Sequence, residues 1–448
     1  MMLRHTLAFF FACLLGAAGL GPVTHSVAAA GVRYAKEVAT GTQDCLSWAN
    51  ACTLQTALTG AVEGDEIWVA AGTHTPGTDR SASFRLINGV ALYGGFTGAE
   101  TRREGRDFSV NETILSGDIG LKDDVSDNVY HVVTGSEIDN TAVLDGFTIT
   151  GGNANGDYPD TLGGGLYLDH GNPTLANLTV RNNTALVNGG GILNGNSSPK
   201  LTNVVFRNNS ALSSGGGMAN WNLSHPVLKD VVFANNSALY DGGGMVNHNQ
   251  SSPTLNGVVF IENAAVSDGG GMSNYADSHP VIVNVTFRGN SAHFGGGMMN
   301  RHNCSPILTN VTFSGNSATS LGGGLCNFDS SSPTIWNSIF WGNTADLGPQ
   351  IFIDDSVTIV SSVIQGGCPD WGMCGRVIDT DPLLGSIGVW GGSVPSIPLL
   401  PGSPAIDAGD NTVCPAVDSR GLPRNDGRCD IGAYEWAPRT FYLPLVAR

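Results

Sequence analysis

Side chains suited to ligand binding recur at one position of a repeated segment in the middle of the chain. Each follows an asparagine that strand alternation points inward, so each is predicted to point outward. Planar groups in an exposed row can stack on sugars or on a partner protein; the alternative is that they only pack over neighbouring turns. We call this candidate binding site the outward stripe, and its members are Trp221, His248, Tyr275, Arg301 and Phe328.

Two groups of aspartates are candidates for a cation or for acid–base chemistry. Asp241 and Asp268 each precede a triple glycine, so they are predicted to stack in adjacent coils about 5 Å apart. Such a pair is an exposed turn pair, a Ca²⁺ site or a catalytic carboxylate pair. The second group lies in one loop that is rich in hard oxygen ligands but matches no defined calcium loop: Asp118, Asp123, Asp124 and Asp127.

These residues are positioned by a segment of 26 or 27 residues that occurs seven times between residues 163 and 345. A fixed period of this length predicts stacked supersecondary units, which form a solenoid. A triple glycine opens every copy, at Gly163, Gly189, Gly215, Gly242, Gly269, Gly295 and Gly322.

Inside each copy the apolar residues alternate in the manner of short strands. The pattern Leu-x-x-Val-x-Phe, as in Leu201 to Phe206, places valine and phenylalanine on one face. Three residues further on stands an asparagine whose amide can bond to its copies in the neighbouring coils. This predicted ladder consists of Asn183, Asn209, Asn236, Asn263, Asn290, Asn316 and Asn343.

Two solenoids fit this period. The stretch from Leu201 to Leu212 matches the leucine-rich repeat, which returns through a helix or a similar arc. The remainder, SSGGGMANWNLSHP, cannot be helical, because each glycine costs about 1 kcal/mol and proline about 3 kcal/mol in a helix. We therefore predict an all-β fold, a single-stranded parallel β-helix with coils of 26–27 residues and asparagine ladders.

Two resemblances refine this prediction. The motif GGG-[IML]-x-N followed by F-x-x-N-x-A resembles the repeat of the chlamydial polymorphic outer-membrane proteins and of bacterial right-handed β-helix surface proteins. The resemblance implies a right-handed helix with the pectin lyase-like fold and a surface location, and it leaves the activity open. Residues 403–436 resemble the C-terminal module of bacterial surface β-helix proteins of the choice-of-anchor type.

The chain divides by composition. Residues 1–30 are typical of a secretory signal peptide, with Arg4 before an apolar run and an Ala-Ala-Ala exit. Residues 31–150 are predicted to form an N-terminal cap, with a helix near 54–61, and irregular first coils. Residues 151–345 form the regular coils, 346–436 the last coils and the choice-of-anchor-like module, and 437–448 a tail. No transmembrane segment is expected after signal removal, so we expect a secreted or cell-surface protein.

The cysteines suit an exported chain. Eight remain after the one in the signal peptide, an even number. Proximity in sequence suggests three pairs and elimination a fourth, although sequence does not fix connectivity: Cys45–Cys52, Cys368–Cys374, Cys414–Cys429 and Cys304–Cys326.

The net charge of the chain limits the partners that it can bind. A net charge of −17 with 13% charged residues excludes nucleic acid as a partner, since that demands a basic face. We predict a non-catalytic, adhesin-like binding or display protein whose partner is a polysaccharide or another surface component. The alternatives are a carbohydrate-active enzyme (a polysaccharide lyase or glycoside hydrolase) and a structural envelope component. Ca²⁺ is the candidate cofactor.

Overall fold

The computed structural model describes residues 30–424 and 427–437, and the chain winds through them as a parallel β-helix. Every strand within the stack pairs in parallel with its counterpart one coil away, for example Met218–Trp221 with Met245–His248. The repeats contain strands and turns only, so the prediction of a parallel β-helix is confirmed and the leucine-rich alternative is wrong. The predicted signal peptide and tail lie outside the described residues, except for residues 30 and 437.

Three sheets form the solenoid; sheet A is the longest, and sheet C is confined to the middle coils. Sheet A has 20 strands: Val32–Ala35, Glu66–Ala70, Gly72–His74, Ala91–Phe96, Thr113–Ser116, Val143–Asp145, Thr148–Thr150, Thr174–Arg181, Lys200–Arg207, Val227–Ala234, Thr254–Asn256, Val259–Ile261, Val281–Val283, Thr286–Arg288, Ile307–Thr309, Thr312–Ser314, Thr334–Trp336, Ile339–Trp341, Val357–Ile364 and Gly372–Ile378. Sheet B has 10: Phe84–Arg85, Val133–Ser136, Leu166–Asp169, Ile192–Gly195, Met218–Trp221, Met245–His248, Met272–Tyr275, Met298–Arg301, Leu325–Asn327 and Ile351–Ile353. Sheet C has seven: Asn153–Ala154, Thr184–Ala185, Ser210–Ala211, Ser237–Ala238, Ala264–Ala265, Ser291–Phe294 and Ser317–Leu321.

Within residues 30–424 and 427–437, helices are few and lie toward the N-terminal side of the regular coils. An α-helix spans Leu54–Thr59 within the predicted range, and its first turn is capped by Thr53, whose hydroxyl accepts from the backbone N–H of Thr56. Two 3-10 helices span Trp48–Asn50 and Arg103–Gly105. In the part of the chain that the structure describes, no helix is long and apolar enough to cross a bilayer.

The core is built from identical residues stacked along the axis. Six phenylalanines from Phe206 to Phe340 have adjacent ring centroids 4.5 to 4.9 Å apart and planes within 9° of parallel. This spacing equals the separation of hydrogen-bonded strands. The triple glycine makes room for them: a Cβ on Gly244 would lie 2.6 Å from the Gly271 carbonyl oxygen and 2.8 Å from the Phe260 ring. Gly242, which opens that triplet, has a φ of +64°, in the left-handed region that favours glycine.

The predicted asparagine ladder is confirmed. The Asn263 side chain is fully buried and donates to the Phe233 carbonyl oxygen at 2.9 Å and to Asn290 Oδ1 at 3.0 Å. Its own Oδ1 accepts from the backbone N–H and the amide of Asn236. A second ladder of buried asparagines runs through sheet B, with amide contacts of 2.7 to 2.8 Å from Asn194 to Asn327.

The C-terminal segment leaves the stack after Ile378 and packs back on the outer face of sheet A. Val394 packs against Val232 and Val259. The amide of Asn310 donates to the carbonyl oxygens of Asp430 and Gly432 at 2.8 and 3.0 Å. The described part of this segment is therefore fixed to the regular coils by apolar contacts and hydrogen bonds.

Three of the four suggested disulfides are formed, Cys45–Cys52, Cys368–Cys374 and Cys414–Cys429. The fourth was wrong, because Cys304 and Cys326 are free, buried thiols. They belong to different columns of the repeat. Cys304 lies in a turn column of serines, where its sulfur accepts from the Ser278 N–H at 3.3 Å, whereas Cys326 pairs with Met299 in the middle of a sheet B strand.

Replacing Asn263 with alanine should lower the free energy of unfolding by about 1–3 kcal/mol, because it leaves buried groups of Asn236 and Phe233 without their partner. Urea unfolding of the two proteins measures the difference. The control is the exposed Asn249, changed to glycine because its φ of +55° would strain alanine. Asn249→Gly should change stability by less than about 0.5 kcal/mol. Equal losses would contradict the assignment of inside and outside.

Candidate ligand-binding site

The structure brings four of the five residues of the outward stripe together with the acidic pair in one cleft of about 480 Å³ on the outer face of sheet B. One wall consists of stripe residues and the facing wall of the turns that precede the triple glycines, while Val246 lies between them. The sequence suggested the two walls separately and gave no sign that they face each other. The lining residues are Val187, Asn188, Ser213, Ser214, Trp221, Tyr240, Asp241, Val246, His248, Ser267, Asp268, Tyr275 and Arg301.

Strand alternation positions the first wall. Asn220, Asn247 and Asn274 are fully buried and point inward, so the next residue in each strand points outward. The register then aligns Trp221 with His248 and His248 with Tyr275. The second wall follows the same rule, because the turn residues Asp241 and Asp268 are paired by a parallel bridge.

Three stripe residues form a stack of rings. The centroids of Trp221 and His248 lie 4.1 Å apart with planes 20° from parallel, and those of His248 and Tyr275 lie 4.9 Å apart at 8°. The rings therefore cover each other's faces while their side chains line the cleft. They pack on one another and also form a wall of the cleft, and ligand binding by these rings stays a prediction.

His302 continues the stack where Arg301 was expected, with its ring 4.5 Å from that of Tyr275 and tilted by 44°. Sequence reasoning missed it because it lies one residue beyond the stripe column, in a turn where its φ is +59°. The residue type could have indicated this role, because an imidazole one position after an aromatic column can stack on that column when the turn conformation points it there.

Arg301 and Phe328 depart from the predicted stripe in different ways. Arg301 remains in the cleft wall, but its guanidinium lies 3.5 Å from Asp268 Oδ2 and 3.1 Å from Asp329 Oδ2. Phe328 lies outside the cleft lining, against Phe294 and Phe352 at ring distances of 5.8 and 5.4 Å. The guanidinium of Arg301 lies over its ring, 5.6 Å from the centroid, and a role for Phe328 in ligand binding stays a prediction.

Burial controls the electrostatics of the acidic pair. It raises the pKa of Asp241 to about 6, and the neighbouring charge of Asp268 adds to the effect. Burial also raises the pKa of Asp268, against the opposing effects of the Ser267 hydroxyl and Arg301. Burial lowers the pKa of His248, so its ring is neutral at physiological pH. The cleft therefore presents carboxylates beside uncharged rings, and its one guanidinium is shared between two acids.

The candidate Ca²⁺ ligands are not gathered into a metal site. Within residues 30–424 and 427–437, no three His, Cys, Asp or Glu side chains are grouped so as to hold a metal ion. The carboxylates of the 118–127 loop bind its own backbone instead. Asp127 accepts from the Leu121 N–H at 2.7 Å, and Asp118 accepts from the Asp123 N–H at 3.2 Å, while Asp124 accepts from Ser126. Ca²⁺ binding by these residues or by the acidic pair stays a prediction.

Replacing Asp241 with asparagine should change how stability depends on pH. A folded-state pKa of about 6, above the ordinary 3.8, stabilises the fold below pH 4, and this contribution is lost as the pH rises through 6. Thermal and urea unfolding should therefore show Asp241→Asn to be more stable than wild type at pH 8, by roughly 1–2 kcal/mol after discounting for partial exposure, and similar at pH 4. The exposed Asp346→Asn controls for the lost charge. Parallel pH profiles of wild type and Asp241→Asn would contradict the assignment.

Comparison with known proteins agrees with the fold. Residues 310–327 match the model of the Chlamydia polymorphic membrane protein repeat, which covers a small part of the chain. No curated protein sequence matches significantly. Among solved structures the chain is similar to the crystal structure of pectate lyase Pel9A, with a TM-score of 0.54 and 12% identity over 90% of this chain and 96% of that one. At this identity the likeness shows the parallel β-helix fold alone.

Proposed function

We propose that this protein is displayed outside the cell and binds a linear, neutral glycan in the cleft without catalysing a reaction. The observation that carries the proposal is that a stack of aromatic rings faces a row of polar turn residues across one elongated cleft. From Trp221 to Arg301 the wall spans four coils, whose rungs repeat about every 4.8 Å along the axis. A chain-like ligand lying parallel to the axis fits this shape.

The polar groups of the cleft suit sugar hydroxyls. The serines can both donate and accept hydrogen bonds, and the carboxylates of Asp241 and Asp268 accept them. Ring edges and the apolar side chains of Val187 and Val246 suit the C–H groups of a sugar. Pockets of mixed apolar surface with a few placed polar groups are typical of small-molecule and saccharide sites.

Charge argues for a neutral ligand over an acidic one. A uronate chain would bring carboxylates toward Asp241 and Asp268, and Arg301 is already engaged by Asp268 and Asp329. The net charge of −17 adds long-range repulsion.

Display outside the cell is supported by the likeness to the polymorphic membrane protein repeat and by the three disulfides, which persist in oxidising compartments. The C-terminal segment, whose residues 403–436 resemble a choice-of-anchor module, is held against the coils. We propose that it holds the protein at the cell surface.

Replacing Tyr275 with alanine should weaken binding of a neutral glycan at least tenfold, because Tyr275 lines the middle of the cleft. Trp221→Ala should have a similar effect. Each change also removes a stacked ring, so a modest loss of stability, about 0.5–1.5 kcal/mol for each ring pair lost, is expected. Glycan-array screening and calorimetry of the wild type and variants measure the affinities.

The matched control for these variants is Tyr158→Ala, whose ring is 81% exposed and lies outside the cleft lining. It should bind with wild-type affinity. Failure of the wild type to bind any glycan would remove this function and leave the structural envelope role as the alternative.

Glycoside hydrolysis is the second candidate function, because two carboxylates with different surroundings lie on adjacent rungs. Asp241, with its pKa of about 6, would act as the acid, and Asp268, paired with Arg301, as the ionised partner. A polysaccharide lyase is less well supported, since the Arg301 guanidinium is occupied by two acids and is not free to serve as a base.

A reducing-sugar assay on neutral glycans at pH 5 to 7 separates the two functions. We expect saturable binding and no release of reducing ends. Release that is lost at least a hundredfold in both Asp241→Asn and Asp268→Asn, while affinity stays within threefold, would establish hydrolysis in place of binding.

A further inference from the structure

The strand position that carries the outward stripe is occupied by a glycine, Gly195, in the coil before Trp221. The register of sheet B aligns Asp169 with Gly195 and Gly195 with Trp221, so a glycine occupies the rung next to the first ring of the stack. The rungs that follow carry His248 and Tyr275. The column of side chains is therefore interrupted between Asp169 and Trp221.

Backbone geometry does not require a glycine at this rung. The φ of Gly195 lies outside the left-handed region, and a Cβ there would meet nothing nearer than Asp169 Oδ1 at 3.6 Å and the Leu168 carbonyl oxygen at 3.7 Å. By contrast, a Cβ on Gly190 would lie 2.2 Å from a backbone oxygen. A residue with a side chain would therefore fit at position 195. The glycine instead leaves an unfilled space on the outer face of the sheet.

This space lies on the Gly195 side of Trp221, whose half-buried indole also packs against the apolar cluster of Leu193, Ala219 and Val246. One face of the indole is covered by His248 at 4.1 Å, and no ring of the described chain stacks on the side toward Gly195. The Asp169 and Trp221 rungs are two strand spacings apart, about 9.6 Å, which leaves room for one intervening ring. On the far side stands the Asp169 carboxylate, 44% exposed and hydrogen-bonded to His170.

We infer that the rung at Gly195 is a sugar-binding subsite that extends the cleft beyond Trp221, on the N-terminal side of the lining residues. A pyranose ring stacks the C–H groups of one face on Trp221 and donates its hydroxyls to Asp169. The stacked rings of His248 and Tyr275 have their faces covered by neighbours, so the rung at Gly195 is where the column leaves an aromatic face for a sugar. This inference rests on the proposed glycan-binding function and assigns the position of one sugar unit.

The test is to fill the rung with Gly195→Tyr. A tyrosine there continues the ring stack, so the melting temperature should equal or exceed that of the wild type. Its affinity for neutral hexasaccharides should fall at least tenfold, because the tyrosine occupies the position of the sugar. The probes are cellohexaose, N-acetylchitohexaose and mannohexaose, measured by calorimetry and by tryptophan fluorescence.

Two matched variants complete the test. Tyr158→Ala, at an exposed position outside the cleft lining, should keep wild-type affinity and shows that losing a surface ring elsewhere has no effect. Asp169→Ala, which removes the carboxylate opposite Trp221, should weaken binding at least threefold without lowering the melting temperature.

The outcomes separate the subsite from the function. If Gly195→Tyr binds as tightly as the wild type while Tyr275→Ala does not bind, the subsite is overturned and glycan binding stands. If Gly195→Tyr unfolds or melts several degrees lower, the rung is not open and the subsite is again overturned. If the wild type binds none of the three hexasaccharides nor any array glycan, both the function and the subsite are overturned.

Discussion

The hydrogen bonds between successive coils impose one spacing on the solenoid. Parallel strands pair in register from coil to coil, so every side chain stands about 4.8 Å from its counterpart above and below. Identical side chains that attract one another at this distance stabilise the stack of coils. The phenylalanine rings stack at 4.5 to 4.9 Å, and each buried asparagine amide donates a hydrogen bond to the next asparagine. Glycine is required where the coil is too narrow for a side chain, as at Gly244.

The same spacing makes the cleft electrostatically unusual. Repetition would place like charges on neighbouring rungs, and at Asp241 and Asp268 the chain does so inside a partly buried wall. The pair costs free energy, and Arg301 offsets part of it from across the cleft. The turn column that holds the pair also varies, with Asn188 and Ser214 on the preceding rungs. A constant frame of ladders therefore supports a wall whose chemistry changes from rung to rung.

Periodic features could be predicted from the sequence, and features that join different columns could not. The ladders and the inward phenylalanines follow from spacing, because a repeat fixes which residues stack. The cleft depends on the cross-section of a coil, which places the turn before each triple glycine opposite the stripe, and no spacing reveals that distance. Pairing Cys304 with Cys326 failed for a related reason, since elimination ignores that the two thiols occupy different columns. His302 joins the ring stack through a turn conformation that the sequence pattern does not specify.

In-register stacking limits how a solenoid can use aromatic residues for binding. Rings on consecutive rungs stack face to face at 4.1 to 4.9 Å. A longer aromatic column is therefore more stable, but fewer of its ring faces are exposed for stacking on a ligand. A continuous column therefore offers a ligand only its ring edges and the adjoining polar groups, and the wall opposite Asp241 and Asp268 has this composition. A ring face becomes available to a ligand only where the column is interrupted. The glycine beside Trp221 is such an interruption, and it lies where the backbone would accept a side chain. The subsite inferred at Gly195 thus coincides with a departure from the repeat that no steric demand explains.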